Sequence, residues 1–349
     1  GAVFATVSIG IYAKMVEMVE QAGYGPCRHV DEPAIATDTP PCFTFFYDWR
    51  QDNVGNAIAL GRFIEGARRQ IEATRPKTGA TPRKPIRFDI IAHSMGVLAD
   101  PEPTITWAGA DDLCRAILIA TPNFGAMEAL KELITGVKYP VVKYEQALLA
   151  TNVSLYQMLP REHHRLWIDS DGNRTGREYM SADFWRQNEW GPFAPKQDRH
   201  LEVLFPDAGT EDLRAARMAE FMDAAFDRGR RFMEALDRHP ETPPPVPLIL
   251  FAADASSTLT MAAVTRSKKG LVALSFKGKK ALDSPGDGRV PRFSVLADER
   301  TAIGGRGWLQ SPVSWSQAIF LTDSHTLIFG NPTFQNNLFL RFEQPLFTY

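Results

Sequence analysis

Short apolar runs separated by stretches of helical spacing decide what this chain can fold into. "IRFDIIA" (86–92), "AILIA" (116–120), "LILFAA" (248–253) and "AIFL" (318–321) are mostly apolar. Each has the length of a buried strand and falls well short of the roughly 18 residues that a membrane span needs. "CFTFFYDWR" (Cys42–Arg50) reads as a further buried strand, rich in aromatics and ending in charge, and "VALSF" (272–276) as another. Between them, Ile11, Met15, Met18 and Val19 keep helical spacing and stop at "AGYGP". Val54, Ile58, Gly61, Ile64 and Ile71 form a second stripe, closed by Pro76.

The pattern changes from about Gly125 to Thr242, where the chain turns helical and polar. Met218, Phe221, Met222, Ala225, Phe232 and Leu236 form a long apolar stripe. Glu211 and Asp212 stand in its first turn, where the helix dipole favours them, and Pro240 follows its end. "PETPPPVP" (240–247) is a stiff connector back to the strand pattern. The expected architecture is therefore α/β: a mostly parallel sheet flanked by helices, with an inserted helical cap. Residues 1–124 and 243–349 would form the core and 125–242 the cap. Trp185, Trp190, Phe221 and Met222 are expected to form the cap's own core; lining an acyl pocket is the competing role.

The net charge of -2, with Lys and Arg scattered, leaves no footprint for a nucleic-acid partner. The three cysteines, Cys27, Cys42 and Cys114, fit no metal-ligand spacing. Cys27 and Cys42 bracket a Pro-rich loop, and two unpaired thiols are expected there, the alternative being a bridge formed in an oxidising compartment. The chain opens on "GAVFATVSIGIYAKMVEMVE", with no charged n-region followed by a cleavage site. This leads to the expectation of a cytoplasmic protein, the alternative being one whose signal peptide has been removed.

The first apolar run ends in Ala92-His93-Ser94-Met95-Gly96. Small residues two before and two after a serine suit a sharp strand-to-helix turn, because the backbone must approach closely there. Such a turn lifts the serine Oγ out of the sheet and aims the N–H of Met95 at a forming oxyanion. No Gly-rich phosphate loop competes with this reading. The chemistry then needs a base and an orienting acid, in chain order Ser, Asp or Glu, His. Of the seven histidines only His325 lies beyond the last strand. His93 is expected to point to the opposite side of the turn, His163-His164 to be a solvated pair, and His29, His200 and His239 to sit in loops or at helix ends. For the acid, Asp287, set between two glycines in "SPGDGRVP", competes with Asp254, which directly follows a strand. Asp323 is too close to His325 in sequence to orient it.

Six stretches follow one another over nearly the whole chain: "YAKMVEMVEQAGY", "FFYDWR", "IAHSMG", "IATPNFGA", "GDGRVP" and "DSHTLIFGNPTF". Together, and in this order, they resemble the lecithin:cholesterol acyltransferase family of α/β-hydrolases. The resemblance implies an α/β-hydrolase fold and carries Ser94, Asp287 and His325 over as a triad, favouring Asp287 over Asp254. It implies a serine hydrolase that cleaves lipid-like or other acyl esters through an acyl-enzyme. It needs no cofactor and no metal, and transient contact with a membrane surface fits such substrates. The alternatives are an acyltransferase that uses an alcohol acceptor and a non-catalytic binding protein that kept the fold. The family's other oxyanion donor comes from a loop that would precede Gly1, unless a residue near Phe4 to Ser8 takes its place. Pro101 and Pro103 stop the helix that in the family continues from the nucleophile.

Overall fold

The computed structural model describes residues 2–35, 38–75, 85–95, 113–138, 142–241, 244, 246–277, 282–300 and 307–343, with side chains from residue 12 to residue 342. At its centre four of the apolar runs become strands β1 (Phe88–His93), β2 (Leu113–Ile119), β3 (Leu248–Ala253) and β4 (Gln317–Leu321). They lie side by side in the order β4-β3-β2-β1, and every pairing is parallel.

Both faces of this sheet are covered, which is why the runs do not alternate between apolar and polar. Successive strand residues point to opposite faces. Ile117, Ile119, Ile249 and Phe251 pack with Met18, Phe329, Phe334 and Leu338. These partners come from helix α1 (Ala2–Gln21), from the segment after β4 and from the last helix, Pro332–Glu343. Leu250 and Ala252, one register over, pack instead with Val290, Val295 and Leu296. Helix α2 (Asn53–Thr74) sets Ile64 and Leu60 against Leu113, Phe88 and Ile90. Its N-cap is Asp52, which accepts the Val54 N–H. Pro76, expected to close it, lies outside the described residues, as do Gly96, Pro101 and Pro103.

The largest buried cluster lies elsewhere, between Phe124 and Ala297 in sequence. Tyr156, Trp167, Tyr179, Trp185, Trp190, Met222 and Phe226 are buried in it. Its longest element is helix α3 (Glu211–Leu236), capped by Thr210, whose hydroxyl accepts the Leu213 N–H. "VALSF" forms the strand that its pattern predicts. Val272–Ser275 joins a second sheet, antiparallel to Ala262–Arg266, which pairs in parallel with Trp167–Ile168. The Trp190 indole N–H donating to the Val272 carbonyl fixes it there. Among the described residues no helix is long and apolar enough to cross a membrane.

Two expectations about residues 27–50 are corrected. Only Cys42–Phe43 forms a strand, parallel to Cys27–Arg28. The following aromatics have no ladder partner and pack instead as side chains, Phe45 against Phe63 of α2 and Phe46 against His29. The two cysteines are not free thiols: they form a disulfide. The strand register sets Cys27 opposite Cys42 with Cα atoms 4.4 Å apart, within the range a bridge spans.

The same segment is bolted to the large cluster. Asp52 accepts from Arg228 Nη2 at 2.6 Å and Nε at 2.9 Å. Gln157 donates to Asp52 and accepts the Asn53 N–H. Gly125 makes another close approach. Its φ is +73°, and a Cβ there would lie 2.3 Å from the Leu159 carbonyl oxygen. Backbone must therefore move in any substitution. Gly125→Ala is expected to destabilise the protein by on the order of 3 kcal/mol, read as a fall in the urea midpoint.

Candidate active site

The first run ends in the sharp turn that its sequence predicts. Ser94 has φ +57°, in the left-handed region that side-chain-bearing residues avoid. Its N–H donates to the Ile119 carbonyl at 2.8 Å, so the end of β2 pins the turn. Ala92 is buried where the chain enters it. Met95 follows, also buried, and no described carbonyl accepts its backbone N–H. Strain of this kind persists where the surroundings enforce it, and it commonly marks a functional position.

Asp287 arrives on a loop far from Ser94 in sequence. Its loop is built on a glycine that nothing else can replace: a Cβ on Gly286 would meet both Thr258 Oγ1 and the Val290 carbonyl at 2.5 Å. Gly288 follows at φ +92°, and its N–H donates to Thr258 Oγ1. The carboxylate, 2% exposed, accepts two backbone N–H groups on Oδ1, from Arg289 at 2.8 Å and Val290 at 2.7 Å. Its Oδ2 is left for His325, whose Nδ1 lies 2.7 Å away. The Asp287 carbonyl also accepts the His325 backbone N–H at 2.9 Å. His325 Nε2 is 2.9 Å from Ser94 Oγ. The structure thus brings Ser94, His325 and Asp287, far apart in sequence, into one chain of hydrogen bonds.

The competing acids are engaged elsewhere. Asp254 pairs with Arg292 at 2.9 Å. Asp323 accepts the Ser324 N–H and the Asn331 side-chain amide, closing the turn that carries the base.

Several supporting residues carry no local signal in the sequence. Asn123 donates its amide to the Val295 carbonyl at 2.7 Å, and Ser294 Oγ donates to the Gly125 carbonyl at 2.5 Å. These bonds dock the loop after β2 onto helix Arg292–Leu296, which directly follows the acid loop. That explains the "TPNFG" motif as scaffolding for the acid. Thr258 plays the equivalent part from beneath Gly286 and Gly288.

Two histidine expectations are corrected. His93 does not point away from the site: its ring lies 4.9 Å from that of His325, and its Nε2 is 3.0 Å from the His325 carbonyl oxygen. Burial, reinforced by His325, pushes its pKa down to about 4. His163 is exposed as expected, but His164 is buried against Phe124, and burial with Arg161 nearby lowers its pKa to about 2. His29 stands in a loop beside Asp31, His200 lies within a short helix, and His239 pairs with Glu299. Trp185, Trp190 and Met222 are buried in the large cluster and Phe221 packs against it.

Two tyrosines stand near this end of the sheet. Tyr12 of α1 presents its ring edge to His93 at 6.1 Å. Burial, with Tyr12 adding to it, pushes the Tyr47 hydroxyl up to about 12. Phe4 to Ser8, considered for an oxyanion donor, fall within the backbone of α1, and their side chains lie outside the described residues. Among the described residues no cluster of three or more His, Cys, Asp or Glu side chains is arranged to hold a metal ion.

No family model matches this chain, and no curated protein matches it either. Among solved structures it is similar to the crystal structure of the Tle4–Tli4 complex, with a TM-score of 0.55 and 14% identity, over 85% of this chain and 67% of that chain. At that identity the likeness carries the fold and not the activity. Together with the helix-flanked parallel sheet and the serine turn at its edge, it makes this an α/β-hydrolase fold. The likeness does not reach as far as the lecithin:cholesterol acyltransferase family.

Proposed function

We propose that this protein is a serine hydrolase of carboxylic esters, acting on lipid-like or other acyl esters through an acyl-enzyme. The observation that carries the reading is the hydrogen-bond chain from Ser94 Oγ through the His325 ring to the Asp287 carboxylate, at 2.9 Å and 2.7 Å. The Nδ1–H of His325 donates to Asp287, which leaves Nε2 bare and able to take the Ser94 proton. Ser94 Oγ then attacks the ester carbonyl carbon, and the Met95 N–H donates to the oxygen that becomes negative. Collapse expels the alcohol, which receives its proton from His325. Water repeats the sequence on the acyl-enzyme and releases the acid. Asp287 holds the ring and stabilises it while it is charged.

In this reading residues 125–242 form a cap over a core made of 1–124 and 243–349, with the Asp52–Arg228 pair joining them. Trp185 and Trp190 belong to the interior of that cap. The resemblance to lecithin:cholesterol acyltransferases supports acyl esters as the substrate class. The Cys27–Cys42 bridge favours an oxidising compartment over the cytoplasm expected from the sequence.

A fluorophosphonate probe tests the reading, because it phosphonylates only an activated serine. Wild-type protein is expected to be labelled at Ser94, located by peptide mass, and Ser94→Ala to take up none. An unlabelled but folded wild type would identify a binding protein that kept the fold. Adding an alcohol during p-nitrophenyl butyrate turnover then separates hydrolysis from acyl transfer, by the acid-to-ester product ratio.

A further inference from the structure

We propose that His93 is a positioning residue for His325, its Nε2–H holding the carbonyl of the proposed base and so setting where that base sits relative to Ser94. This rests on the reading of His325 as the base.

The geometry is specific. A carbonyl oxygen can only accept, so the 3.0 Å contact between His93 Nε2 and the His325 carbonyl requires the proton on Nε2. His93 is therefore held in one tautomer, with Nδ1 bare. That Nδ1 is buried and meets no partner among the described residues. The peptide of His325 is held at both ends: its N–H by the Asp287 carbonyl at 2.9 Å, and its C=O by His93. The ring of His93 fills the space beneath this loop, 4.9 Å from the rings of both His325 and Phe329. Only 9% of His93 is exposed.

The placement follows from the turn. In a straight strand, residues 93 and 94 would face opposite sides of the sheet. With Ser94 in the left-handed region, both side chains reach the same loop. One dipeptide thus carries the nucleophile and also the clamp on its base, so an error in the strand's position moves both partners together. The charge is arranged to suit. The imidazolium formed in turnover is the one on His325, and a second cation 4.9 Å away would oppose it. Deep burial keeps His93 neutral, with His325 and Asp287 acting on its charge and the Tyr12 ring of α1 facing it.

Two substitutions separate a clamp from a space-filler. His93→Phe keeps a ring and deletes the donor, whereas His93→Gln keeps a side-chain N–H near the position of Nε2. For p-nitrophenyl butyrate, His93→Phe is expected to lower kcat about 10- to 100-fold, with KM within about 2-fold, since a displaced base affects the chemical step more than binding. His93→Gln is expected to recover most of that loss. Urea midpoints establish that both variants fold.

An independent readout needs no turnover: the imidazole nitrogen spectrum of 15N-histidine-labelled wild type. It is expected to show His93 in the Nε2–H form, unchanged between pH 7 and pH 5. Unchanged kcat in folded His93→Phe, equal impairment in folded His93→Gln, or the other tautomer in the spectrum would each overturn the proposal. A wild type that the fluorophosphonate does not label overturns the hydrolase reading and the positioning role with it, while the spectrum still reports the contact.

Discussion

Asp287→Asn is expected to lower kcat for p-nitrophenyl butyrate about 10,000-fold while leaving the unfolding free energy from urea titration within about 1 kcal/mol of wild type. The argument is one of donors and acceptors. Oδ1 of Asp287 takes two backbone N–H groups, from Arg289 and Val290, and Oδ2 takes His325 Nδ1. Asparagine has one oxygen. That oxygen stays with the two backbone donors, because losing both would leave buried N–H groups unpaired. The amide nitrogen then faces His325 Nδ1, and two donors cannot meet. The ring relieves the clash by moving its proton to Nε2, where it can no longer accept from Ser94 Oγ. The fold survives because the loop bonds survive. Asp254→Asn serves as the control, since that carboxylate is held by Arg292. It is expected to change kcat by less than about 2-fold, as for a partly exposed ion pair that makes no hydrogen bond to the base. Equal effects from the two substitutions would remove Asp287 from the mechanism.

Much of this arrangement is legible in the sequence because its signals are local. An uninterrupted apolar run announces a strand buried on both faces, and Ile117, Ile119, Leu250 and Phe251 occupy those faces. A serine flanked by small residues announces a tight turn, and the turn is there at φ +57°. What the sequence hides is pairing between distant segments. Nothing near Val272 says that its carbonyl is taken by Trp190, so "VALSF" reads as a strand but not as a member of any particular sheet. The aromatic residues after Cys42 look like strand because their propensity is high, but they find no neighbouring strand to complete a ladder. Cys27 and Cys42 are separated by a loop whose closure only the strand register reveals. His93 defies expectation for a local reason, the left-handed backbone of Ser94 beside it. The alternation rule holds for regular strand and fails at the one residue where the backbone leaves it.

Mild acid is expected to weaken the fold well before the carboxylates titrate. His93 and His164 are buried, with pKa values lowered to about 4 and about 2, against about 6.5 in the unfolded chain. A depressed histidine pKa means that the unfolded state binds protons the native state refuses. The stabilisation is complete above pH 6.5 and is lost as pH falls through the window down to the folded values. Each such proton changes stability by about 1.4 kcal/mol per pH unit. Between pH 6 and pH 5, where the unfolded histidines are mostly but not fully charged, the two together remove roughly 2 kcal/mol. Asp89 and Glu132, whose pKa values burial raises, take up protons in the native state and pull the other way at the low end of the window. The measurement is the urea midpoint at half-unit steps from pH 7.5 to pH 4.5. His164→Leu separates the contributions. Its neighbours are Phe124, Phe293 and His163, with Arg161 acting on its charge, and its Nδ1 has no partner among the described residues to lose. The substitution is expected to cut the slope between pH 6 and pH 5 by about half, because one of the two refused protons disappears. A midpoint flat across that interval in the wild type would mean that both rings take up protons in the folded state.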